Sequence, residues 1–209
     1  MIVPDMAQFL KTGALVNIPG EVISRFETAM QAAQVAREPE LSAMSLATSD
    51  SSGRVSVRTV LLKDFDAKGF VFYTNKQSNK GRQLAQNPQA ALTILWKAIF
   101  RQVLVEGTVE SVTDEEADAY FASRPRGSQI ATWASVQSDA LDSRELLEQR
   151  VKEYTAKFMD GDVPRPPHWS GYRLVPDMIE FWYGKESRLH DRFRFTLIDD
   201  EWQKQRLYP

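Results

Sequence analysis

The chain of 209 residues contains no cysteine, which removes disulfides, thiolate nucleophiles and cysteine-ligated zinc and is compatible with a reducing compartment. Histidine is nearly absent as well: His168 and His190 are the only two, too few for a histidine-based metal site, so no metal is expected. No run approaches the roughly 18 apolar residues that a membrane helix needs, so no membrane partner is expected. The opening MIVPDMAQFLKTGALV carries Asp5 early and lacks a basic stretch leading into a long apolar core. It does not read as a secretory leader, and the expected location is the cytoplasm. Nor is there an excess of positive charge: the formal net charge is −2, whereas general nucleic-acid binders are strongly basic, so no nucleic-acid partner is expected. Any anion site must then be a local cluster.

What is present is ordinary globular composition, with hydrophobic residues at 43%, enough for one domain with a real core. Between Ile18 and Glu38, Val22, Ile23, Phe26, Met30 and Ala33 recur at helical spacing behind a Pro-Gly start. From Ser42 the texture changes to short β-rich runs broken by turns: AMSLATS, DSSG, RVSVRTVLLK, DAKG, FVFYTN. Gln77 to Asn87 reads as a short helix closed by Pro88, followed by strands QAALTILW and FRQVLVEGTVESV. Thr113 with Glu116 forms a capping box opening a helix to Ser123, and a further helical stretch carries Ile130 and Trp133. Asp142 with Glu145 is expected to cap a longer helix ending at Gly161. After the connection DVPRPPHW come four strands, GYRLV, DMIEFWYG, RFRFTLI and EWQKQRLY. Many short strands, tight turns and no βαβ alternation predict an α+β fold, a closed antiparallel barrel with helices packed outside.

Basic and polar residues sit in or at the ends of these strands: Arg58, Lys63, Arg101, Gln102, Arg188, His190 and Arg192. Any one of them alone reads as part of a solvated face. Lys80, Arg124, Arg126 and Ser128 add donors beside short helices, where backbone N–H groups favour phosphate, and the clustering suggests one or two phosphorylated ligands. Arg58 and Lys63 are five positions apart, so a regular strand sends them to opposite faces and to different phosphates unless a bulge intervenes. Trp96, Trp133, Trp182 and Tyr183 are read first as core, although an aromatic set of this kind can stack on a flat heterocycle. His190 beside Asp191 lacks a serine in a nucleophile-elbow context, which speaks against a hydrolase.

The segment IEFWYGKESRLHDR, Ile179 to Arg192, resembles the C-terminal signature of the pyridoxamine 5′-phosphate oxidase family. RTVLLK, FYTN, RQV, YFASRPRGSQI and WASVQS match further family segments in order, so the resemblance runs from about Ala43 to the C-terminus. It implies an FMN-binding split antiparallel β-barrel with peripheral helices, a single domain over 1–209 with an N-terminal segment and helix at 1–40 and signature strands at 170–209. It also implies a homodimer that binds FMN noncovalently at the subunit interface. The implied activity is oxidation of pyridoxamine 5′-phosphate or pyridoxine 5′-phosphate by O2 to pyridoxal 5′-phosphate, with release of H2O2. Carried over by position, Arg58, Tyr73, Thr74, Lys80 and Ser138 hold the FMN phosphate and ribityl chain, and Gln102, Gln137, Trp182 and Arg192 surround its ring. Lys63, Tyr120, Arg124 and Ser128 grip the substrate phosphate, with Arg188 and His190 at the reacting carbon. The chain departs from the family pattern at Asn79, where an arginine is common, at Tyr183, where Gln, His or Gly is usual, and in showing no Arg-Arg-x-Tyr segment among its first forty residues. The alternatives are another split-barrel FMN oxidoreductase, such as a flavin reductase without the substrate phosphate clamp, and a nonenzymatic binder of pyridoxal phosphate without flavin.

Overall fold

The computed structural model describes residues 17–209. The opening segment read as carrying no secretory leader lies outside them. The elements follow in the order α1 (Gly20–Val35), β1 (Ala43–Ser49), β2 (Val55–Leu61), β3 (Asp64–Asp66), β4 (Gly69–Asn75), α2 (Asn79–Gln86), β5 (Gln89–Trp96) and β6 (Arg101–Ser111). Then come α3 (Asp114–Ser123), α4 (Arg126–Ala134), α5 (Arg144–Lys157), β7 (Trp169–Tyr183), β8 (Asp191–Ile198) and β9 (Glu201–Leu207). Among the described residues no helix is long and apolar enough to cross a membrane.

All strand pairs are antiparallel, and the sheet runs β2-β1-β5-β6-β7-β4-β3, with β8 and β9 branching from the second half of β7. This curled sheet is a split barrel and not the closed one expected from strand count. No ladder joins its two end strands among the described residues; Lys63 N donates to Val71 O at 2.9 Å where the chain crosses that seam. The strands GYRLV and DMIEFWYG are one 15-residue strand, β7. Pro176 does not break it, because the register of β6 against β7 slips at Glu106/Gly107 and the bulge takes up the missing N–H.

The core follows from the alternation of each strand. Met44 and Leu46 of β1, Leu92 and Ile94 of β5, Val103 and Val105 of β6, and Phe70 and Phe72 of β4 fill one cluster. Helix α1 lays Phe26 onto it, against Phe65 at 4.4 Å, Phe70 at 5.3 Å and Trp96 at 5.6 Å between ring centroids. Strand β4 is covered on both faces, since Val71 meets Val112 and Ala117 of the α3 side while Phe72 faces the barrel. Buried Arg173 anchors α3 to β3 by pairing with Asp66 at 2.6 Å and Glu116 at 3.3 Å.

The helix ends are set by side chains. Thr113 and Glu116 form the expected capping box. At α5 the expectation shifts by one residue: Ser143 caps the helix by accepting from Leu146 N, and Asp142 does not. That helix ends at Lys157, with Phe158 to Gly161 continuing as turn and not as helix.

Candidate functional site

Strand β4 brings the first part of the site together because its residues alternate faces. Tyr73 points toward the helices and stacks on Tyr120 of α3, 4.0 Å between centroids, and on Trp169, 5.3 Å. Gly171 permits this, since a Cβ there would sit 2.6 Å from the Tyr73 ring. Thr74 lies on the opposite face, at the rim of the barrel, where Lys80 Nζ donates to its hydroxyl at 3.1 Å. Helix α2 places Lys80: Ser78 caps the helix by accepting from Gly81 N, and a side chain at Gly81 would collide with Lys76 O at 2.1 Å.

Lys63, Tyr73, Thr74, Lys80, Tyr120, Arg124, Ser128 and Gln137 line one cavity of about 420 Å³, and none of the described residues lining it is acidic. Lys80 is buried and hydrogen-bonds only to Thr74 and Ser78 among the described residues. Burial, with the Arg58 charge nearby, pushes its ammonium down to about 8. Arg58 is held by neutral acceptors, Thr48 Oγ1 at 2.6 Å, Leu46 O at 3.1 Å and Gln83 Oε1 at 3.3 Å, and burial lowers its pKa too. Arg124 has no carboxylate partner among the described residues either; it lies 4.8 Å over the Trp169 ring and donates to Thr132 Oγ1 at 2.8 Å, and burial lowers its pKa. Three cations withdrawn from water without counter-charges form an arrangement that a bound polyanion would stabilise.

Gln137 and Ser138 close the barrel rim from the α4–α5 connection. Gln137 Oε1 accepts from Thr74 Oγ1 at 3.2 Å and Asn75 N at 3.3 Å, and Ser138 Oγ accepts from Asn79 N at 3.2 Å. The parity argument for Arg58 and Lys63 stops short of Lys63, because β2 ends at Leu61. Lys63 lines the same cavity as Lys80.

The remaining candidates form a second group at the far end of β7. Gln102 is opposite Trp182 in the β6–β7 ladder and Arg192 opposite it in the β7–β8 ladder. Trp182 packs on His190, 4.6 Å between centroids. Lys185 N donates to His190 Nδ1 at 3.1 Å, so the neutral ring carries its proton on Nε2. Arg192 pairs with buried Glu180 at 2.7 Å, and Arg194 shares that carboxylate at 2.9 Å. Arg188 is exposed, and Ser187 and Arg188 both hold left-handed backbone, φ 55° and 62°. No described cavity or hydrogen bond joins this group to the first one.

Two sequence candidates serve structure instead. Arg126 donates to Gly161 O and Phe158 O, tying α4 to the end of α5 and leaving the cavity to Arg124. Arg101 lies 4.6 Å over the Tyr183 ring, outside both groups. Trp96 is core, as read, and Trp133 is half-buried with its indole N–H on Pro164 O at 2.8 Å. Sequence reasoning passed over Gln83 and Thr132, the neutral partners of Arg58 and Arg124; only their spacing on α2 and α4 hints at those contacts.

A split barrel whose rim holds cations with no carboxylate partner among the described residues, beside stacked aromatic rings, is a setting that suits an anionic ligand. Comparison with known families narrows the class. Residues 30–158 match the pyridoxamine 5′-phosphate oxidase family, and residues 169–209 match the pyridoxine 5′-phosphate oxidase C-terminal dimerisation region. A pyridoxine/pyridoxamine 5′-phosphate oxidase of Myxococcus xanthus is 55% identical over 93% of this chain and 94% of its own. One of Trichormus variabilis is 48% identical over 93% and 91%. Among solved structures, PhzG from Burkholderia lata 383, in complex with tetrahydrophenazine-1-carboxylic acid, superposes with a TM-score of 0.87 at 32% identity, covering 96% of this chain and 98% of its own. The chain belongs to the pyridoxamine 5′-phosphate oxidase family.

Proposed function

We propose that this protein is an FMN-dependent oxidase, one domain over 1–209, that converts pyridoxamine 5′-phosphate and pyridoxine 5′-phosphate to pyridoxal 5′-phosphate. The alcohol and O2 give the aldehyde and H2O2; the amine also takes up water and releases ammonia. The observation that carries this reading is one cavity lined by Lys63, Lys80 and Arg124 and by no acidic residue among the described ones, with the Arg58 charge close to Lys80. Relatives bearing the oxidase name across nearly the whole chain support it.

The residues present fit FMN. Arg58, Lys80 and Ser138 would hold its phosphate, Tyr73 and Thr74 its ribityl chain, and Gln102, Gln137, Trp182 and Arg192 its ring. Bound there, FMN supplies the two-electron acceptor that no side chain can be. Lys63, Tyr120, Arg124 and Ser128 grip the substrate phosphate and so fix the reacting carbon, a proximity effect worth several kcal/mol. Arg188 keeps the substrate amine in its neutral form, because a nearby cation disfavours protonation, and for the same reason it eases loss of the proton from the substrate alcohol. His190 presents Nε2–H as a donor, its Nδ1 being occupied by Lys185 N. The match to a dimerisation region supports a homodimer, and in our reading the site draws on both of its subunits.

The superposition on PhzG favours a second reading, oxidation of a tricyclic carboxylate with Lys63 and Arg124 on that carboxylate. Peroxide release in air separates the two. Pyridoxamine 5′-phosphate and pyridoxine 5′-phosphate should give peroxide well above unphosphorylated pyridoxamine; turnover of tetrahydrophenazine-1-carboxylic acid alone would sink the first reading.

A further inference from the structure

From the contacts of Arg124 we infer that Thr132 is a positioning residue for this arginine, setting the phosphate selectivity of the substrate site. The inference rests on the substrate-phosphate reading of Arg124. Arg124 lines two adjoining cavities, the one of about 420 Å³ that holds Lys63 and Lys80 and another of about 340 Å³ that Thr132 also lines. A guanidinium on a long side chain at such a boundary needs an anchor, and here that anchor carries no charge. Thr132 Oγ1 donates its proton to Ser128 O at 2.8 Å, so its lone pair is what meets Arg124 Nη1, also at 2.8 Å. The Trp169 face fixes the plane of the guanidinium, 4.8 Å away.

That leaves Nε and Nη2 without a protein acceptor among the described residues, which is the edge that grips a phosphate in bidentate fashion. A carboxylate anchor would hold the arginine more firmly but would cancel the charge the phosphate needs. Thr132 holds it and leaves the charge intact. The same hydroxyl ties Arg124 to the backbone of Ser128, one helical turn away, so the two phosphate donors move as a unit.

The test measures KM and kcat for pyridoxine 5′-phosphate, and equilibrium binding of pyridoxal 5′-phosphate, in the FMN-loaded wild type, Thr132→Val, Thr132→Ser and Arg124→Ala. Valine keeps the shape and removes the hydroxyl. Thr132→Val should raise KM and the product dissociation constant about three- to tenfold, as expected for losing a hydrogen bond to a charged group, with kcat changed less than twofold. Thr132→Ser should restore both. A merely structural threonine would lower kcat and melting temperature without raising KM or the product dissociation constant. If Arg124→Ala weakens phosphate binding while Thr132→Val does not, the positioning role is wrong and the substrate reading stands. If Arg124→Ala leaves KM unchanged, the reading of the site fails and the positioning role with it.

Discussion

Lys80 makes the affinity for FMN depend on pH in a way that follows from its surroundings. Its ammonium is buried beside Arg58 and titrates at about 8, far below the ordinary 10.5. The second phosphate ionisation lies near ~6, so from pH 7 to 9 a phosphate ester such as FMN stays a dianion while Lys80 in the empty site loses its proton. A bound dianion favours the ammonium and raises its pKa, so binding above pH 8 must take up a proton. Affinity should therefore hold steady below pH 8 and fall by about tenfold per pH unit above it, giving roughly a tenfold loss between pH 7 and 9. Lys80→Met should bind more weakly at pH 7 and show little slope. The apoprotein should show the opposite trend in stability. Because the folded pKa of Lys80 is depressed, the unfolded chain binds more protons between about 8 and 10.5, and stability rises with pH across that window. The assay is titration of FMN into apoprotein by flavin fluorescence quenching from pH 7 to 9. A flat wild-type profile, or an unchanged slope in Lys80→Met, would refute the reasoning.

Asn79→Arg should tighten FMN about tenfold by adding a bidentate cation at the start of α2, read in the same titration. Arg82→Ala should change it less than twofold, because Arg82 is turned to Gln77 O and Asn79 Oδ1, both at 2.5 Å, and toward Asp139 at 3.6 Å. Arg188→Ala should cut turnover at least a hundredfold while FMN content per subunit stays within a fifth of wild type, a general estimate for removing a group at the reacting atoms. Phe26→Ala should destabilise the fold by about 3–5 kcal/mol in urea unfolding, since its ring is fully buried against three other aromatic rings.

The strands, α1 and the Thr113–Glu116 capping box were legible because each rests on a local pattern of alternation, periodicity or spacing. The failures are tertiary. Pro176 reads as a break until the slip at Glu106/Gly107 is seen in the partner strand. A closed barrel and a split one share a strand pattern and differ in whether the end strands meet, which no strand encodes alone. Ser143 displaced Asp142 as the cap by one residue, a choice decided by backbone direction. Clustering of basic residues led to Lys63, Lys80 and Arg124, which line one cavity, and also to Arg126, whose contacts are at the end of α5. Gln83 and Thr132 were invisible because a neutral partner of a buried arginine leaves no charge pattern in the sequence. The second group of candidates stood out as polar and aromatic residues at strand ends, only the resemblance gave them roles, and β7 carries the group to the far end of the same strand that begins beside Tyr73.

The most direct measurement is to mix FMN-loaded protein with pyridoxamine 5′-phosphate in the absence of oxygen and follow the visible flavin absorbance and the aldehyde formed. The account predicts bleaching, about one pyridoxal 5′-phosphate per FMN, and recovery of the absorbance with peroxide when air is admitted. Absorbance that persists with the phosphorylated amine and bleaches only with a nicotinamide would contradict it.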